Sequence, residues 1–99
     1  MNTAQFPHRI VILPARRCRR SRKILQYLDE RGIPYTRIPL ETDEGVEIAQ
    51  RYNMRASPGI LVDGVSHNPF EILDPERCRV DEEKAGALFG LDGEQPPVL

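Results

Sequence analysis

Ninety-nine residues, 39% apolar and 29% charged, are enough for one domain with one core and too few for two. No stretch approaches the ~18 apolar residues of a membrane span, and no basic segment followed by an apolar one opens the chain as a secretory signal would, so a cytoplasmic protein is expected. Two cysteines do not make a disulfide framework, and the net charge of −1 hides a divide: residues 1–40 hold nine Lys/Arg against two Asp/Glu, residues 41–99 five against thirteen.

Ile10-Val11-Ile12-Leu13, after Arg9, is a short continuous apolar run that reads as a buried strand stopped by Pro14. From Ser21 to Arg31, Ile24, Leu25 and Leu28 fall on one face and charges on the other, an amphipathic helix with Gly32 as its stop. Ile33 to Leu40 alternates weakly around Pro34 and Pro39 and reads as an edge or interrupted strand. Thr42 or Asp43 is placed to cap a second helix with Val46, Ala49 and Tyr52 as its buried stripe, although Gly45 weakens it.

Gly59 to Val62 and Val65 to His67 read as strands joined by the two-residue turn Asp63-Gly64. Pro69 to Leu73 suits one helical turn. Asp81 to Phe89 reads as a last helix, capped by Asp81 and packing Ala85, Leu88 and Phe89. The expected domain is residues 1–89, followed by a flexible C-terminal tail, 90–99, with two glycines and two prolines. Strand, helix, strand, helix, hairpin and helix predict an α/β fold: a four-stranded mixed sheet with helices on both faces, its first two strands parallel through a right-handed crossover.

The chemistry concentrates at Cys18, in Pro14-Ala15-Arg16-Arg17-Cys18-Arg19-Arg20-Ser21-Arg22-Lys23, between the first strand and the first helix. A thiol there meets the positive end of the helix dipole and six flanking cations. Both favour thiolate, the reactive form. The histidines His8 and His67 stand at no metal-ligand spacing with the cysteines, and no metal site is expected. Nucleic acid would suit the arginines, but a pI near 6.1 and the lack of interleaved aromatics argue against it.

The element order, with a cysteine opening the first helix and Ala56-Ser57-Pro58-Gly59-Ile60-Leu61-Val62-Asp63-Gly64 further on, resembles the thioredoxin fold, especially its small glutaredoxin-like members. The resemblance spans roughly residues 9–73. It implies that Pro58 is the cis-proline facing the active cysteine and that Ser57-Pro58 lines the substrate groove. Ser21 stands where dithiol members carry a second cysteine, so a monothiol variant is implied, with Cys18 as nucleophile and Ser21 as its hydrogen-bond partner.

Arg16, Arg17 and Arg19 are then expected to bind substrate, with Arg17 and Arg19 also stabilising the thiolate. Ala15 holds the place of the family's basic residue, which Arg16 or Arg17 replaces. The family's glycine pair after the hairpin is absent from His67-Asn68-Pro69-Phe70-Glu71, where Glu71 is the candidate acid for holding glutathione.

The resemblance implies no required cofactor and admits glutathione as co-substrate. Cys18-Arg19-Arg20-Ser21 matches the Cys-Gly-Phe-Ser of iron–sulfur-binding members only at its ends, which argues against a cluster. Cys78, between Arg77 and Arg79, is either a buried packing residue or a resolving thiol returning toward Cys18. The expected function is thiol–disulfide exchange on disulfide or glutathionylated protein substrates. The alternative is a non-catalytic thioredoxin-like module docking an acidic protein surface or anion through its basic pole.

Overall fold

The computed structural model describes residues 9–74, 76 and 79–89. Strands β1 (Ile10–Leu13), β2 (Thr36–Arg37), β3 (Gly59–Val62) and β4 (Val65–His67) form one sheet in the order β2-β1-β3-β4. β2 runs parallel to β1, while β3 is antiparallel to β1 and β4 to β3. With helices α1 (Arg19–Glu30), α2 (Asp43–Arg51) and α3 (Glu82–Phe89), the chain is α/β with a four-stranded mixed sheet.

The β1–β3 register sets Ile10 opposite Val62 and Ile12 opposite Ile60, so these four share one face. They pack with Ile24, Tyr27 and Leu28 of α1 and with Ala85 and Phe89 of α3. Ile24 and Leu28 are two of the expected stripe, but Tyr27 completes it at three- and four-residue spacing, while Leu25 is only partly buried against the core. Arg31 lies 4.1 Å from the Tyr27 ring centre and pairs with Glu82 at 3.1 Å, tying the end of α1 to α3. Val11 and Leu61 point to the opposite face, where with Tyr52, just past α2, they line a cavity of about 510 Å³.

The hairpin turn uses Asp63 and Gly64 at φ 53° and 82°, both left-handed, as a two-residue turn with this twist requires. Asp63 Oδ1 also accepts the Arg9 N–H at 2.8 Å. Asp81 caps α3, accepting the N–H groups of Glu83 and Lys84 at 3.1 Å. The expected turn after β4 is a short 3-10 segment, Pro69–Glu71.

Several boundaries differ from the sequence expectation. α1 begins at Arg19, two residues early, because Cys18 itself is the cap. Between Pro34 and Pro39 only Thr36–Arg37 forms a ladder, although Ile38 N–H still bonds Ile12 O and Leu40 N–H still bonds Pro14 O. The buried stripe of α2 is not the expected one: Val46 is 44% exposed, and Ala49 and Tyr52 are half-buried. α2 docks instead through Gly45, whose bare backbone sits on Pro39; a Cβ there would collide with the Pro39 carbonyl.

An unexpected two-stranded sheet, β5 (Leu73–Asp74) with β6 (Arg79–Val80), precedes α3; two-residue strands carry no readable period. Cys78, His8 and the 90–99 tail lie outside the described residues. Among the described residues, no helix is long and apolar enough to cross a membrane.

Candidate functional site

The chain leaves β1 through buried Pro14 and turns at Arg16 and Arg17. Arg17 takes a left-handed backbone, φ 58°, uncommon for a residue with a side chain, and this reverses the chain into α1. Cys18 then adopts the extended geometry of an N-cap, φ −102° and ψ 116°, with its Sγ accepting the Ser21 N–H at 3.4 Å. Ser21 is 2% exposed, and its Oγ accepts the Ala15 N–H at 3.0 Å, pinning the loop to the helix start.

Pairing of Leu13 with Gly59 brings a second segment beside this turn. Just ahead of β3, the Ser57–Pro58 peptide is cis. Cys18 Sγ lies 3.3 Å from Ser57 Oγ and 3.8 Å from Ser57 O. Arg20, in the first turn of α1, donates from Nε to the same Ser57 carbonyl at 2.9 Å and lies 5.2 Å from the Phe70 ring centre.

These contacts set the electrostatics of the half-buried thiol. Burial pushes its pKa up, but hydrogen bonds from the Ser21 hydroxyl, the Ser57 hydroxyl and the Ser21 N–H oppose it, joined by the Arg20 charge. The balance holds the thiol below its ordinary value. More of the population is then thiolate near neutral pH, and thiolate is the nucleophile.

Cys18 and Ser21 open onto a groove of about 310 Å³ whose basic walls are Arg16, Arg17, Arg22 and Arg37, with Glu41 as the acid. Arg16 pairs with Glu41 at 3.8 Å, both exposed. Of the residues singled out in the sequence, Cys18, Ser21 and Ser57 converge, with Pro58 next along the chain, and Arg16 and Arg17 line the groove. Ser57 and Pro58, expected to line it, are not among its lining residues, because Ser57 approaches the sulfur from the loop before β3. Arg19 is exposed and outside the groove lining, since it leaves the helix on another side.

The cation that acts on the sulfur is Arg20, rather than Arg17 or Arg19. Arg22, four residues after Cys18 on the same helix, was within reach of helical spacing. Arg37 and Arg20 were not, because their placement depends on β2 and on the loop before β3.

Glu71, the candidate acid for glutathione, bonds within its own turn. Its Oε1 pairs with His67 Nδ1 and its Oε2 accepts the Asn68 N–H, both at 3.1 Å, closing a capping box on the 3-10 turn. Another cavity, about 300 Å³, lies between Asn53–Ala56 and Ser66–Pro69 and contains no nucleophile of the thiol type. Among the described residues, no group of three or more His, Cys, Asp or Glu side chains is placed to hold a metal ion.

No protein-family model matches the chain, and no curated protein matches it either.

Proposed function

We propose that this chain is a thiol–disulfide oxidoreductase of the glutaredoxin/thioredoxin-like type that works with one cysteine on a thioredoxin-like sheet. The observation that carries the reading is the Cys18 sulfur at the N-cap of α1, 3.3 Å from the Ser57 hydroxyl and 3.8 Å from the Ser57 carbonyl just before β3. The lowered thiol pKa supports it.

In this mechanism the Cys18 thiolate attacks one sulfur of a disulfide or glutathionylated protein. The substrate S–S bond breaks, and the leaving thiolate keeps the electron pair and takes a proton from water. Cys18 is left in a mixed disulfide. Ser21 offers no second thiol, so an external low-molecular-weight thiol such as glutathione attacks that bond, forms its own disulfide and returns Cys18 as thiolate. The Ser21 N–H and the Ser57 hydroxyl hold the thiolate before attack and again on release.

A second reading, a non-catalytic module docking an acidic partner, is favoured by the exposed Arg19, Arg22 and Lys23 and the absence of any acid in the first turn of α1. Turnover of a glutathione mixed disulfide, measured in Cys78→Ser and Cys18→Ser proteins, separates the two. Exchange retained in the first and reduced to background in the second supports the enzyme. Background rates in both, with an acidic peptide bound equally by both, would leave the docking module.

A further inference from the structure

We propose that Arg20 is a positioning residue for Cys18, held in place by Phe70 and acting through the Ser57 peptide, so that three segments distant in sequence jointly set the reactivity of one sulfur. The inference rests on Cys18 as the reactive group of the proposed function and concerns what tunes it.

Ser57 O lies 3.8 Å from the sulfur. A carbonyl oxygen is the negative end of its dipole, and alone it would repel a thiolate. Arg20 Nε–H bonds that oxygen at 2.9 Å and offsets it with a full positive charge. The same bond fixes the Ser57 peptide, and with it the hydroxyl 3.3 Å from the sulfur. Arg20 thus acts twice, by charge and by holding the donor.

A long arginine side chain loses considerable rotamer freedom when fixed. Phe70 reduces that loss by giving the guanidinium a surface, 5.2 Å from ring centre to Cζ. A planar guanidinium can face a ring while Nε donates within its own plane, which a lysine ammonium cannot reproduce. Phe70 is 45% exposed, so core packing does not account for its size.

Its turn is nonetheless firmly built: Pro69 is buried, Asn68 Oδ1 accepts the Phe70 N–H at 2.8 Å, and Glu71 closes the capping box. Among the described residues no carboxylate forms an ion pair with Arg20.

The test is the pH dependence of Cys18 alkylation by iodoacetamide in a Cys78→Ser background, in which Cys18 is the one thiol of the chain. Arg20→Gln is expected to move the profile to higher pH and slow the reaction at pH 7 about threefold to tenfold. Phe70→Ala, which removes no charge, is expected to slow it about twofold. In the Arg20→Gln background Phe70→Ala should do nothing, because its effect passes through the arginine. Arg20→Lys keeps the charge without the planar fork and should fall between wild type and Arg20→Gln.

Arg20→Lys also replaces Arg20→Gln in the cycle if the latter does not fold, with the effect of Phe70→Ala then reduced rather than abolished. An unmoved profile in Arg20→Gln, or an equal effect of Phe70→Ala with and without Arg20, would overturn the proposal. Alkylation reads the sulfur whether or not any disulfide turns over. Coupling without exchange activity therefore sinks the oxidoreductase reading alone, and exchange activity without coupling sinks this one alone.

Discussion

The first two helices begin alike in geometry and opposite in charge. Cys18 Sγ accepts the Ser21 N–H at 3.4 Å; Thr42 Oγ1 accepts the Gly45 N–H at 3.0 Å and donates to Pro39 O at 2.7 Å. The first turn of α2 carries Asp43 and Glu44, the signs that complement a helix N-terminus. The first turn of α1 carries no acid and places Arg19, Arg20 and Arg22 there instead. Each misplaced cation is unfavourable by roughly 0.3–1 kcal/mol at an exposed helix end. α2 starts in the way that stabilises a helix. α1 gives up part of that stability and in exchange surrounds a sulfur with positive charge and N–H donors.

Cys18→Ser gives the largest effect and tests whether the α1 cap is chemical or structural. Disulfide exchange should fall to background. The melting temperature should hold or rise, since a hydroxyl is an established N-cap acceptor. A stability loss above about 1 kcal/mol would instead make the sulfur a structural group.

Thr42→Ala is the mirror experiment. It should lower the unfolding free energy by about 1 kcal/mol in urea titrations and leave the Cys18 alkylation rate unchanged. Arg19→Glu gives the first turn of α1 one of the charges found in α2. We expect a gain of about 0.3–1 kcal/mol, with Cys18 alkylation near the wild-type rate because Arg20, not Arg19, is the cation at the sulfur. Alkylation slowed as far as in Arg20→Gln would show that Arg19 acts on the sulfur as well.

The smallest effect is on stability against pH, because one partly exposed group carries it. Cys18 in the folded chain releases its proton below the ordinary thiol value, so the unfolded chain binds more protons between those two points. The resulting stabilisation is complete above the ordinary value, and it is lost as pH falls through the folded value. In a Cys78→Ser background, the unfolding free energy of the Cys18 protein relative to Cys18→Ser should therefore rise with pH up to about the ordinary thiol value and then level off. The reverse slope would mean that burial of the sulfur outweighs its hydrogen bonds.

Much of the architecture is written locally. The apolar run of β1, the four-residue spacing of Ile24 and Leu28, and the left-handed pair Asp63-Gly64 are each decided by neighbours along the chain. For that reason they are readable without a fold. Cys18 as the reactive candidate belongs with them, since its charges and its helix start lie within a few residues.

The α2 stripe misled because Gly45 docks by having no side chain, and a hydrophobic pattern cannot register an absent group. Arg20 against Ser57, 37 positions away, and Phe70 beneath the guanidinium had no local signature at all. The pairing of β1 with β3 and the turn after β4 bring them together. Short-range pattern therefore placed the sulfur at the start of a helix, while the long-range packing of the sheet chose which of its many arginines reaches it.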